Sequence, residues 1–187
     1  MDRSLYFFDR RSSSPRPIYS VHDAGDAILD ISCSHTANSI CSVSADGILR
    51  QYDFRSSLLR ASHAFPKPLS HVRHTSDSGA LFLSCLNQSI YLVDSGSCQR
   101  LAAYSGHSHG ELSFPMACST DDAHLLTYSL DGFLCVYDVL SESCFQKIPF
   151  AKTDRIWSIS YDPRQLCNPV LSTASGFLHF LSFSPSS

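Results

Sequence analysis

One short phrase recurs along this chain and limits what it can fold into. It is clearest in Ser44-Ala-Asp-Gly-Ile-Leu-Arg-Gln-Tyr-Asp-Phe-Arg55. Asp46-Gly47 is a hairpin dipeptide, because glycine adopts the positive φ that such a turn needs. Ile48, Arg50 and Tyr52 then alternate with Leu49, Gln51 and Asp53, the period-2 pattern of a strand. The strand closes on an aromatic and an aspartate. Ser129-Leu-Asp-Gly-Phe-Leu-Cys-Val-Tyr-Asp138 is nearly a copy, and Leu86-Asn-Gln-Ser-Ile-Tyr-Leu-Val-Asp94 keeps the form with Asn87 at the turn. Asp2-Arg-Ser-Leu-Tyr-Phe-Phe-Asp9 repeats it, and Ala174-Ser-Gly-Phe-Leu-His-Phe-Leu-Ser182 is a worn version. The closing residues 9, 53, 94, 138 and 182 lie 44, 41, 44 and 44 apart.

A period of about 40–45 residues carrying a turn, a strand and an aromatic-Asp ending is the signature of a WD-repeat propeller blade. The predicted fold is therefore all-β: a partial, open WD-repeat β-propeller of about four blades plus a half blade. Residues 1–25 read as the half blade (strands c and d), with one strand within 1–11 and another at 17–22. The blade over 26–66 has strands at 28–33, 39–44, 48–53 and 58–65. The blade over 67–107 has them at 69–73, 80–86, 89–94 and 99–104. The blade over 108–150 has them at 114–119, 124–129, 133–138 and 144–150. The final blade, 151–187, has strands at 157–161, 170–174 and 177–183 and lacks its outer strand. Blades bury their faces only against neighbours. The first and last are therefore expected to expose apolar faces and free edges, which a second copy or the missing blades would cover.

Composition excludes several classes. The chain has 187 residues, 43% hydrophobic, with a formal charge of −3. That is enough for a sizeable core and no basis for the basic field that nucleic acid requires, so direct nucleic-acid binding is not expected. No apolar run reaches the length of a membrane helix, and no membrane association is expected. The N-terminus lacks the basic-then-apolar order of a signal peptide. The eight cysteines form no C-x-x-C pair. Most of them read as small buried hydrophobes in a reducing compartment.

A nucleophilic enzyme needs a serine or cysteine beside a base. There is no G-x-S-x-G elbow, no H-E-x-x-H and no Gly-rich phosphate loop. The expectation is a chain without catalytic residues, cofactor or metal. His107-Ser-His109 and His71-Val-Arg-His74 have ligand types but lack supporting cysteines or carboxylates at metal-site spacing, and read as turn or surface histidines. Arg10, Arg11 and Arg16, set among serines and prolines, form a small basic loop that an acidic kinase groove or an RNA phosphate could use.

Beyond the generic repeat, the particular departures resemble one family. Phe8-Asp-Arg-Arg-Ser-Ser-Ser-Pro-Arg-Pro17, Ser44 to Arg55 and Leu83-Ser-Cys-Leu-Asn-Gln-Ser-Ile-Tyr-Leu-Val-Asp94 carry the resemblance. Tyr104-Ser-Gly-His107, Ser129-Leu-Asp-Gly132 and Leu171-Ser-Thr-Ala-Ser-Gly176 extend it over nearly the whole chain. Together they look like the mitogen-activated protein kinase organizer family of WD-repeat proteins. The resemblance implies a seven-bladed scaffold of cytoplasm and nucleus, with kinase-cascade components or spliceosome subunits as partners. This chain would cover the later four blades and part of the third. A truncated gene model, an alternative start or a fragment is the expected reason.

The resemblance also implies a structural hydrogen-bond network. His107 would bond the turn aspartate Asp131, and a strand hydroxyl, Ser129, would relay to Tyr137. Asp46 holds the corresponding turn position, with no Gly-His pair, and a looser turn is expected there. Finally, Phe8-Asp-Arg-Arg11 and Tyr52-Asp-Phe-Arg55 end in aromatic-Asp-x-Arg. That ending resembles the motif by which some WD-repeat proteins dock on the adaptor of cullin ubiquitin ligases, Arg11 and Arg55 being the contact residues. Three functions are open: an interaction scaffold, a cullin-ligase substrate receptor, and a structural subunit of an RNA-processing complex.

Overall fold

The structure, a computed structural model, describes residues 2–34, 39–53, 59–86, 89–108, 115–150, 154–161 and 169–181. Every element assigned among them is a β-strand. β1 (Leu5–Phe7) and β2 (Tyr19–Val21) pair as a two-stranded sheet. Three four-stranded meanders follow. The first joins β3 (Ile28–Cys33), β4 (Ser39–Ser44), β5 (Ile48–Asp53) and β6 (Leu59–Ala64). The second joins β7 (Leu69–His74), β8 (Ala80–Cys85), β9 (Ser89–Asp94) and β10 (Arg100–Tyr104). The third joins β11 (Met116–Cys118), β12 (His124–Ser129), β13 (Phe133–Asp138) and β14 (Cys144–Pro149). β15 (Ile156–Tyr161), β16 (Pro169–Thr173) and β17 (Leu178–Phe180) close the described chain as a three-stranded sheet. This is a partial WD-repeat propeller, as the sequence period predicts.

The sheets are joined by apolar layers. Leu5 and Val21 meet Ile40 and Tyr52 between the first two sheets. Cys41, Val43 and Leu49 meet Leu69, Val72, Leu81, Leu83, Cys85 and Val93 in the next layer. Phe82, Ile90 and Tyr104 meet Met116, Leu125, Cys135 and Tyr137. Leu126, Tyr128, Leu134 and Val136 meet Ile156, Ile159 and Leu171. Alternate residues of one strand thus serve opposite layers: Leu81 and Leu83 face back, and Phe82 faces forward.

This changes the meaning of the period-2 pattern. Leu49, Arg50, Gln51 and Tyr52 in β5 are all buried, because the sheet is covered on both sides. Alternation there separates two interfaces, not core from solvent. Gln51 makes the point: its Nε2 donates to Ser95 O on the next sheet at 2.9 Å.

Three inner strands carry the same irregularity. The ladder slips between Ile28 and Asp30, between Leu69 and His71, and between Ile156 and Ser158. Each slip is a bulge of one residue that increases local twist. β1 is shorter than expected. Asp9 Oδ1 accepts the Arg11 N–H at 2.9 Å, and Ser12 N donates to Asp9 O at 3.1 Å. An Asx turn therefore ends the strand early.

The two end sheets expose large apolar groups. Phe8 and Ile18 lie at one end, and Trp157, Phe177, Leu178 and Phe180 at the other. Among the described residues no helix is long and apolar enough to cross a membrane.

The layered core gives a first prediction. Leu83 is fully buried and Leu140 is 94% exposed. Leu83→Ala should cost about 2–5 kcal/mol of unfolding free energy, and Leu140→Ala less than about 0.5 kcal/mol. Urea unfolding of the two variants measures this. Coincident transitions would show that the inter-sheet layer does not carry stability.

Candidate functional site

The most regular polar feature is where each hairpin turn meets the segment entering its sheet. Ala45 N donates to Ala27 O, Leu86 N to Pro68 O, Leu130 N to Ser108 O and Ala174 N to Arg155 O, at 2.7–3.1 Å. Gly47, Gly132 and Gly176 follow at φ +77°, +89° and +87°. At Gly47 a Cβ would come within 3.0 Å of the carbonyl oxygens of Phe65 and Lys67. Glycine is needed there for both conformation and space. One backbone frame is therefore repeated, and the side chains that fill it differ from sheet to sheet.

At Asp46 the filling is a buried ion pair. Arg50 NH2 lies 2.8 Å from Asp46 Oδ2, with the two side chains 6% and 15% exposed. Asp46 also accepts from Gly25 N at 2.8 Å, from Ile48 N at 3.0 Å and from the Ser44 hydroxyl. Arg50 NH1 reaches Ser44 Oγ at 2.7 Å. This turn is more heavily bonded than the missing Gly-His pair led us to expect. Arg50 takes the anchoring role, and its signal in the sequence was an arginine four residues past a turn aspartate. Burial alone would raise the Asp46 carboxyl. The Arg50 guanidinium, Ser44 and the backbone donors outweigh it and hold the group far below the usual carboxylate range.

At the third full sheet the filling is aromatic. His107 is 3% exposed, and its Nδ1 lies 2.7 Å from Tyr137 Oη. Tyr137 Oη donates to Ser105 O at 2.9 Å. The phenol has one proton, so His107 Nδ1 is the donor of the shorter bond, which assigns the Nδ1–H tautomer. Ser129 Oγ accepts from Ser108 N at 2.8 Å. The structure thus brings His107 and Tyr137 into direct contact and ties Ser129 to the neighbouring backbone. Asp131 lies exposed in the β12–β13 turn. Burial raises the Tyr137 phenol, keeping it protonated as a donor.

The inner strands carry a cross-sheet cluster that the sequence did not announce. Asp30 Oδ2 accepts from Arg73 NH1 at 2.8 Å and from Val72 N at 3.1 Å, and lies 3.4 Å from His71 Nδ1. Burial alone would raise the Asp30 carboxyl; the His71 bond, the Arg73 charge and the Val72 N–H bring it below its ordinary value. Beside it, Ser32 Oγ lies 2.8 Å from His74 Nδ1. His71 and His74 therefore serve different partners. Among the described residues, no three metal-ligating side chains come together. His109 lies outside the described residues.

Cysteine thiols at Cys41, Cys85 and Cys135 are pushed up to about 12 by burial. Such thiols are inert packing groups. Cys33 is exposed. It lines a cleft of about 350 Å³ between β1 and β3–β4, with Leu5, Phe7, Ile31 and Ile40. No carboxylate, histidine or lysine is among the lining residues.

The basic loop is fully displayed. Arg10, Arg11 and Arg16 are all exposed. The Arg11 side chain, 91% exposed, has its Nε 3.4 Å from Asp9 Oδ1. Arg55 lies outside the described residues.

Comparison with known proteins agrees with the fold. No family model matches the chain. WD repeat domain-containing protein 83 of Xenopus tropicalis is 32% identical over 165 residues, covering 88% of this chain and 50% of that protein. Its rat counterpart is 26% identical over 166 residues, 89% of this chain and 50% of its own length. The chain is a WD-repeat protein. An uncharacterized WD repeat-containing protein of Schizosaccharomyces pombe is also 26% identical, over 92% of this chain and 57% of its own. The chain therefore spans about half the length of the curated relatives it matches. The crystal structure of the computationally designed Ika4 protein superposes with a TM-score of 0.70, over 86% of this chain and 94% of that chain, at 15% identity.

Two predictions follow from the turn chemistry. The Asp46 carboxyl is depressed in the folded state, so its contribution is complete above its unfolded value of about 3.9 and lost as pH falls below it. At neutral pH Arg50→Met should cost about 3 kcal/mol by stranding the carboxylate. The gap from wild type should narrow below about pH 4, as urea unfolding across pH would record. A gap independent of pH would remove the ion pair from the account. Separately, Tyr137→Phe should cost about 1–3 kcal/mol, because Ser105 O and His107 Nδ1 lose their partner in a buried site. Unchanged thermal unfolding would show that water replaces the phenol at no cost.

Proposed function

We propose that this chain is a non-catalytic interaction scaffold of the kinase-cascade organizer type, working in the cytoplasm and the nucleus. The observation that carries the reading is where the polar groups are. Asp46 with Arg50, His107 with Tyr137, and Asp30 with Arg73 are all engaged in holding turns or joining sheets. The arginines of the loop after β1 face solvent, where a partner's acidic groups can reach them. WD-repeat propellers generally bind proteins, and the likeness to the organizer family supports the narrower reading. A rigid frame that holds two partners raises their effective concentration without new chemistry. A link to the spliceosome fits the same reading if contact runs through protein, because the chain offers no RNA-recognition motif.

A second reading, substrate receptor of a cullin ligase, is favoured by the exposure of Arg11 within its aromatic-Asp-Arg-Arg ending. Arg suits such docking because its planar fork pairs bidentately with a carboxylate.

One experiment separates them. Immobilised chain is offered purified kinase-cascade components and, separately, the cullin-ligase adaptor. The scaffold reading expects two cascade components to be recovered together. It also expects an Arg10→Glu/Arg11→Glu/Arg16→Glu variant to recover at least about tenfold less, the loss from one or more charge-assisted contacts. Recovery of the adaptor alone, abolished in Arg11→Ala or Arg55→Ala, would replace it with the receptor reading.

A further inference from the structure

We propose that Ser13 is a phosphorylation site for an arginine-directed serine/threonine protein kinase. It lies in the segment Arg10-Arg-Ser-Ser-Ser-Pro-Arg-Pro17, which places arginines three and two residues before it. That spacing suits a kinase whose peptide cleft carries carboxylates, because each guanidinium can pair bidentately with one. The inference is independent of which partners the scaffold holds.

The loop geometry singles out Ser13 from its neighbours. Ser12 donates its N–H to Asp9 O, and its hydroxyl accepts from Ser14 N at 3.1 Å. The Ser14 hydroxyl accepts from Arg16 N at 3.2 Å. Ser13 is exposed and makes no hydrogen bond among the described residues. Both arginines are exposed, and the contact of Arg11 with Asp9 is a solvent-facing one that a kinase carboxylate readily replaces.

The frame around the loop permits binding in a cleft. Ile18 N donates to Phe7 O at 2.8 Å, closing the hairpin below the loop. Residues 8–17 lie beyond that closing bond and take no part in the pairing of β1 and β2. Pro15 and Pro17 disfavour the helical conformation at Ser14 and Arg16, so the stretch after Ser13 is biased to the extended form.

In the transfer, Ser13 Oγ attacks the γ-phosphorus of ATP. The Oγ–P bond forms as the bond from the γ-phosphorus to the β–γ bridging oxygen breaks. The hydroxyl proton passes to the kinase's catalytic aspartate, and ADP leaves. The consequence is electrostatic. Residues 9–16 hold three arginines against one aspartate. A phosphate brings about −1.5 to −2 charges, enough to cancel the excess. The loop then stops attracting acidic groups, and the modification acts as a charge switch on this face.

The test uses the whole chain, ATP and the catalytic subunit of cyclic-AMP-dependent protein kinase as the arginine-directed probe. Intact mass should show one phosphoryl group, and fragmentation should place it on Ser13. Ser13→Ala should abolish incorporation, and Arg10→Ala should slow it by about tenfold or more, the loss of one charge-assisted contact. Both variants should melt with the wild type, since the positions are exposed. Incorporation that persists in Ser13→Ala would overturn the proposal. So would phosphate mapped to Ser12 or to Ser14, or no incorporation into a chain whose melting shows it folded.

Discussion

Burial of each inner sheet between two neighbours is the constraint on which the rest of this protein depends. A four-stranded meander has two faces, and here the middle strands bury both. β8 sends Leu81, Leu83 and Cys85 into one layer and Phe82 into the next. No sheet has a core of its own, so stability belongs to the junctions. Apolar burial of about 25 cal/mol per Å² acts at every junction, and its loss at one would be felt by two sheets. The same rule explains the end sheets, where Tyr6 and Tyr19 at one end and Leu178 and Phe180 at the other are exposed. These are junction residues by type, lying on faces that no other described sheet covers.

A second requirement follows from the first. If both faces of a hairpin are buried, its turn must satisfy its polar groups with little help from water. The backbone answer is shared, with one N–H to C=O bond recurring at Ala45, Leu86, Leu130 and Ala174. The side-chain answers are local. A carboxylate with an arginine serves Asp46, and a histidine with a phenol serves Tyr137. At the last sheet Asp154 accepts from Ser175 N at 3.0 Å, reversing the usual direction by putting the acid on the entering segment. Repeats can diverge in this way because the frame needs satisfied donors and acceptors, not particular residues.

This divergence sets what the sequence could reveal. The fold was legible because turn residues, strand length and period are local properties, and Asp46-Gly47 or Asp131-Gly132 announces a hairpin without reference to anything distant. The layers were only half legible. The alternation Ile48, Arg50, Tyr52 looks like one buried and one solvated face, and only the neighbouring sheets make both buried. The site was least legible. Arg50 read as a strand residue because its partner is Asp46 across a turn, and Asp30 gave no signal because its partners Val72 and Arg73 lie on another sheet. Cys33, at the end of β3, is exposed and lines the cleft beside β1.

The placement of charge then bears on function. Within the frame Asp46 is paired with Arg50 and Asp30 with Arg73, and the first of these pairs combines a short distance with low exposure. Replacing one disturbs the fold. Charges on the loop after β1 are displayed to solvent, and Arg11 is anchored only by an exposed contact to Asp9. Replacing one leaves every junction intact. A protein built this way can change its surface without changing its frame, which is what repeated use as an interaction platform demands. The hairpin bond from Ile18 to Phe7 is the boundary between the two regimes. Below it, side chains answer to packing against Ile40 and Tyr52; above it, they answer to the loop's own hydrogen bonds and to whatever approaches from solution.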